Sequence, residues 1–152
     1  MEQNIDRSHL PLRMVARVII KKEGRILLGQ VRVNGMTVCY NFPGGGVEEN
    51  HTAEETVAKE SLEEVGVVIT NIRPLGVNLP AEHPMGKKRE HLFRGTDNHY
   101  YVADFVRYDK SQLNSEGDEM PFTWERPEGA IQRMEAKPDP FNAIRILAIQ
   151  AL

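Results

Sequence analysis

Apolar and polar positions alternate along LRMVARVIIKK (12–22), and the stretch is rich in β-branched residues. That period of two predicts a strand. A turn at Lys22-Glu23-Gly24 leads into RILLGQVRV (25–33), which reads as a second strand. Asn34-Gly35 is a hairpin dipeptide, because both residues tolerate positive φ, and 37–42 is the returning strand. Pro43-Gly44-Gly45-Gly46 then breaks the sheet and lets the backbone bend and approach a ligand closely. From 52 to 65 the period becomes helical. Thr52 with Glu55 makes a capping box, and Gly66 stops the helix. GVVITNIRPLGVNL predicts one or two strands, and 80–98 a long polar loop. HYYVADFVRY (99–108) is the clearest late strand, SQLNSEGDEM a loop and PFTWE a short strand. A short helix near 129–134 and a C-terminal amphipathic helix, FNAIRILAIQAL, complete the pattern. Strands, helix, strands and helix in that order predict an α/β or α+β sandwich with a mixed sheet.

The chain has 152 residues, which fits one domain over 1–152 with a core that needs no disulfide or structural metal. Hydrophobic residues make up 40% and charged residues 27%, which excludes a collagen, a coiled-coil rod or a long disordered tail. No apolar run reaches about 18 residues, so no transmembrane helix is expected. Residues 1–11 are polar, are expected to be loose, and carry no basic-then-apolar leader pattern. The single cysteine, Cys39, excludes an intramolecular disulfide and fits a reducing, cytoplasmic compartment. A net charge of −3 argues against a general nucleic-acid grip but leaves a local phosphate site open.

The informative segment is GGGVEENHTAEETVAKESLEEVGV (44–67). At about 100° per residue, Glu60, Glu63 and Glu64 share one stripe of the helix. Val57, Ala58, Ser61, Leu62 and Val65 fall on the other side, where they can pack on a sheet. Anions at i, i+3 and i+4 repel one another, and the helix C-terminus disfavours them further. A hard divalent cation, Mg²⁺ or Mn²⁺, is the natural compensation, since both prefer carboxylate, carbonyl and water oxygens. A solvated acidic face is the bland alternative. A backbone carbonyl from the glycine loop could complete a metal shell.

These residues resemble the box of the Nudix hydrolases, G-x5-E-x7-R-E-U-x-E-E-x-G-U, where U is a bulky aliphatic residue. Gly45 opens it, Glu60, Glu63, Glu64, Gly66 and Val67 match it without insertion, and Phe42-Pro43-Gly44 matches the usual lead-in. Three positions depart: His51 replaces the first glutamate, Lys59 the arginine and Ser61 the bulky aliphatic. Lys59 offers one ammonium instead of a planar fork, and Ser61 falls on the packing side. The resemblance implies a Nudix-type α/β/α sandwich and hydrolysis of a nucleoside diphosphate linked to another group. It implies Gly44 (through its carbonyl), Glu60, Glu63 and Glu64 as ligands of Mg²⁺ or Mn²⁺. Glu63 or a loop carboxylate would accept a proton from the attacking water, with Lys59 orienting the carboxylates. A further carboxylate is expected from the loop NSEGDEMPFTW, with Glu119 in the best register and Asp118 and Glu116 as alternatives.

On the substrate side, Arg17 lies mid-strand among apolar residues, where an unpaired charge is costly. It faces a cleft or snorkels to an edge. Arg32 is a cleft residue or an exposed strand-end charge, and Lys87-Lys88-Arg89 is a phosphate grip or a solvated run. Tyr100 and Tyr101 alternate sides of their strand, so one is core and the other can stack on a base. Cys39 and Trp124 read as core residues, and His83, His91 and His99 as surface histidines without zinc spacing. The expected partner is a small nucleotide-derived substrate, without a membrane, and the choice between monomer and homodimer is open. Two alternatives remain: a nucleotide-sugar hydrolase related to GDP-mannose mannosyl hydrolase, faintly suggested by FRGTDNHYYVADF, and a non-catalytic Nudix-fold nucleotide-binding module.

Overall fold

A computed structural model describes residues 6–83, 85–114 and 119–152. The elements run β1 (Leu12–Lys22), β2 (Arg25–Val33), β3 (Met36–Asn41), β4 (Gly44–Gly46), α1 (Ala53–Glu60), β5 (Val67–Glu82), β6 (Gly95–Tyr108), β7 (Phe122–Glu125), α2 (Pro127–Ala136) and α3 (Asn142–Gln150). A π-helical turn, Ser61–Val65, extends α1, and a 3-10 turn, Lys110–Gln112, follows β6.

The strands form one mixed sheet in the order β3-β2-β1-β6-β5, with β4 added on β1 and β7 on β2. β1 and β6 run parallel from Leu12↔Gly95 to Lys21↔Asp104. The other edge of β1 is shared: β2 takes its end at Lys21 and Lys22, and β4 takes Val15 to Arg17. One face of the sheet packs Ala16, Val18, Ile20 and Tyr101 against Val57 and Val65 of the α1 segment. The other packs Ile19, Leu28, Phe42 and Tyr100 against Met134 of α2 and Ala148 and Ile149 of α3. The period of two in β1 therefore feeds two cores at once, one per face. The α+β architecture expected from the sequence is the one observed.

Three local expectations change. The glycine run does not break the sheet, because Gly44–Gly46 pairs with β1 as β4. A Cβ at Gly44 would lie 2.8 Å from the Arg17 Cα and closer still to the Ala16 carbonyl oxygen, so glycine is what permits the pairing. The predicted loop at 80–98 is shorter, since β5 runs on to Glu82 and β6 starts at Gly95. Pro80 suggested a loop, but β5 is an edge strand, where a missing N–H costs little. Finally, the predicted helix over 52–65 is α-helical only to Glu60. Its cap matches expectation: Glu55 N–H donates to the Thr52 hydroxyl at 3.1 Å, and Gly66 takes φ 63°.

Tyr100 and Tyr101 are both buried, on opposite faces. Cys39 and Trp124 are only half-buried, because β3 is an edge strand and β7 is short. The expected looseness of 1–11 falls partly on residues 1–5, outside the described residues. Beyond them, Leu10 closes a turn on the Arg7 carbonyl, and the Arg94 N–H donates to the Pro11 carbonyl.

Candidate functional site

The register of β4 decides what the glycine segment presents. Val18 N–H donates to the Pro43 carbonyl and Val47 N–H to the Met14 carbonyl. Hydrogen-bonded positions alternate in an antiparallel ladder, so the Gly44 N–H and C=O fall outside the β1–β4 bonds. The Gly44 N–H instead donates to Glu64 Oε1 at 2.9 Å. Glu60 reaches the same segment, with its carboxyl 3.6 Å from where a Gly45 Cβ would stand. Two of the sequence-predicted carboxylates thus meet the predicted glycine backbone.

Glu63 points elsewhere. Its Oε1 is 4.0 Å from the Lys59 Nζ in a partly exposed i,i+4 pair. Among the described residues, no three His, Cys, Asp or Glu side chains converge as a ready metal cage. The donor chemistry still fits a hard cation. Mg²⁺ is commonly bound through one or two carboxylates with substrate phosphates filling the shell. Glu60, Glu64 and the Gly44 carbonyl offer that oxygen set.

The π-helical turn carries Glu63 and Glu64 and is tied down by the chain that follows β6. The Glu63 carbonyl accepts from Asn114 N–H at 3.1 Å and the Glu64 carbonyl from Met120 N–H at 2.8 Å. These are carbonyls at a helix end with no helical partner of their own. Buried Ser61 donates its hydroxyl to the Val67 carbonyl at 2.7 Å, pinning the turn to β5. The departure from a bulky aliphatic is therefore absorbed by a hydrogen bond.

Glu119 is exposed and adjoins Met120, so its backbone sits beside Glu64. Its side chain lines a separate cavity of about 450 Å³ with Val65, Lys110 and Trp124. The alternatives Glu116 and Asp118 lie outside the described residues.

Arg17 is the substrate-side candidate that reaches the site. Its guanidinium donates to the Phe42 carbonyl at 3.0 Å. Burial pulls its pKa below the usual arginine range, while Glu64 and, more weakly, Glu60 oppose that pull. Arg17 also lines a cavity of about 150 Å³ with Asn41, His83, Asn98, Tyr100 and Arg145. Arg145 is buried, donates to Asp139 Oδ1 at 2.9 Å and lies over the Phe141 ring. His83, expected on the surface, bonds Thr96 at 3.0 Å and stacks edge-on against Phe141 at 4.9 Å.

Arg145 is hard to single out in the sequence because a C-terminal amphipathic helix reads as packing alone, and Asp139 and Phe141 join it only through the turn before α3. A lone arginine among its apolar positions was the available signal. Arg32 stays exposed on Gln30 Oε1, away from the glycine segment. Lys88 and Arg89 line another cavity, at the far end of β4.

The NUDIX domain family model matches residues 11–146. An RNA pyrophosphohydrolase of Sphingopyxis alaskensis is 30% identical over 113 residues, covering 69% of this chain and 70% of that protein. An ADP-ribose pyrophosphatase of Methanocaldococcus jannaschii is 39% identical over 69 residues, 45% of this chain and 41% of that one. The structure of a NUDIX hydrolase from Nitrosomonas europaea superposes with a TM-score of 0.68 at 15% identity, over 92% of this chain and 89% of that one. The chain belongs to the Nudix family. Both of these relatives are named as pyrophosphate-cleaving enzymes.

Proposed function

We propose that this Nudix hydrolase cleaves a phosphoanhydride in a nucleotide derivative with the help of Mg²⁺ or Mn²⁺. The observation that carries the reading is the contact of Glu64 with the Gly44 N–H, with Glu60 against Gly45 beside it. Glu60, Glu64 and the Gly44 carbonyl would hold a divalent ion, which would supply charge neutralisation for the pyrophosphate and activation of water. Glu63 accepts the water's proton, and Lys59 keeps it oriented through their 4.0 Å pair. Arg17 spans the two regions. It feels the charge of Glu64 and lines the Arg145 cavity, so it bridges a phosphate at the carboxylates and a nucleoside in the cavity. Asn41, Asn98 and Arg145 then offer polar contacts to the base edge.

The test is a substrate screen with Mg²⁺ and Mn²⁺, reading released phosphate or nucleotide. Nucleoside triphosphates, ADP-ribose, nucleotide sugars, dinucleotides and 5′-triphosphorylated RNA form the set. The RNA pyrophosphohydrolase and ADP-ribose pyrophosphatase names of the relatives place two of these first. Metal-stimulated release with ¹⁸O from water in a phosphate product supports the reading. Label in a sugar product would move it to nucleotide-sugar hydrolysis. Binding without turnover would make the chain a nucleotide-binding module, a reading motivated by His51 and Lys59 at the box positions of a glutamate and an arginine.

A further inference from the structure

A second cavity, of about 400 Å³, opens where β4 ends. Arg13, Lys88 and Arg89 line it together with Leu92 and Phe93, and so do Glu48 and Glu49. Arg13 lies on β1 on the same face as Arg17, four residues before it. Its guanidinium packs closely over Gly46, so that an added Cβ there would displace it. Lys88 and Arg89 sit in an ordered turn in which the Arg89 N–H and the Glu90 N–H both donate to the Gly86 carbonyl. Among the described residues neither side chain makes an ion pair. Burial and the neighbouring Arg89 both disfavour charge on Arg13, and Glu48 opposes them. Cations gathered this way, with carboxylates that do not pair with two of them, are arranged for an outside anion. Leu92 and Phe93 add an apolar surface of the kind on which bases rest.

The position is as informative as the charge. Gly44 and Gly46 bound the same strand, so the two ends lie about 7 Å apart at strand rise. A nucleoside triphosphate with its phosphates at Gly44 and its base in the Arg145 cavity leaves this second cavity unused. A nucleotide chain continuing from it does not.

We propose that Arg13, Lys88 and Arg89 form an anion subsite for a backbone phosphate of a single-stranded nucleic acid whose 5′ end is held at Gly44 and Glu64. The proposal rests on the function given above, because it needs the 5′ phosphates at that end of β4. It is a local grip and agrees with a net charge of −3.

The test is binding of a 3′-fluorescein RNA tetranucleotide with a non-hydrolysable, methylene-bridged 5′-triphosphate, read by anisotropy in Mg²⁺ so that the carboxylates keep their cation and nothing turns over. The matching methylene-bridged nucleoside triphosphate serves as a competitor. In the R13Q/R89Q variant the ratio of tetranucleotide to triphosphate affinity falls about tenfold, and the slope of log K against log salt drops by about 0.7, the share of one phosphate. A ratio unchanged from the native chain overturns the subsite, as does a native chain that binds both ligands equally. The exposed single variant R89E, checked by circular dichroism, gives the same ratio test if the double variant fails to fold. Failure of every substrate in the metal-dependent screen would sink the functional reading, while the affinity ratio judges this subsite separately.

Discussion

Gly44→Ala perturbs the point on which the site is built. The added methyl would stand 2.8 Å from the Arg17 Cα and 3.0 Å from the Ala16 carbonyl carbon, both backbone atoms of the central strand. Neither can rotate away. Overpacking of this sort costs about 1–3 kcal/mol. The φ of 155° at Gly44 is nearly closed to other residues and adds about 1–3 kcal/mol. Even about 2 kcal/mol in a chain of this size lowers Tm by about 4–8 °C. Relief requires β4 to move off β1, which also pulls the Gly44 N–H from Glu64. Gly45→Ala is the matched control. Its methyl would meet Glu60 at 3.6 Å, an ordinary contact, at a backbone without positive φ. Gly45→Ala therefore keeps the native Tm and, with Glu60 at an ordinary contact distance, most of the metal-dependent hydrolysis. Calorimetry or circular dichroism melts on both variants, with initial rates in Mg²⁺, separate the two effects. A Gly44→Ala chain melting within about 1 °C of the native one would refute the close approach of β4 to β1.

Glu63→Gln should cost two or more orders of magnitude in kcat while leaving Tm nearly unchanged, since its pair with Lys59 is weak and partly exposed. Ser61→Ala leaves a buried Val67 carbonyl without its donor and should cost about 1–3 kcal/mol, read in urea unfolding. Arg145→Met breaks a buried pair with Asp139 and should cost about 3 kcal/mol, together with a raised KM for the nucleotide. The carboxyl of Asp104 is held below its ordinary pKa, first by the Asn71 side chain and then by Arg73. The stability it adds is full above the ordinary aspartate range and is lost as pH falls through its depressed value. The Tm gap between the native chain and Asp104→Asn should therefore close in acid melts.

What the sequence made legible follows from where local chemistry decides structure. β1 and β2 announce themselves at their exact bounds, because alternation and β-branching set them. Thr52 and Gly66 do the same for the ends of the helical segment. β4 escapes, since three glycines carry no pattern and their pairing depends on β1 being there to receive them. The π-helical turn escapes for a similar reason. Its carbonyls bond to Asn114 and Met120, residues that no local window joins to Glu63 and Glu64. In the site, the spacing of Glu60 and Glu64 from the glycine segment was readable. The Arg17–Arg145 cavity was not, because it is assembled by β1, β6 and α3 from opposite ends of the chain.

That long-range assembly bears on how the enzyme is made. β1 finds its parallel neighbour only when β6 has emerged, with Leu12 waiting for Gly95 and Lys21 for Asp104. β2, β3 and the α1 segment are made before β6, so the flank of β1 that β6 covers can be paired only after them. Closing the centre of the sheet depends on contacts between distant parts of the chain, the kind of topology that slows folding.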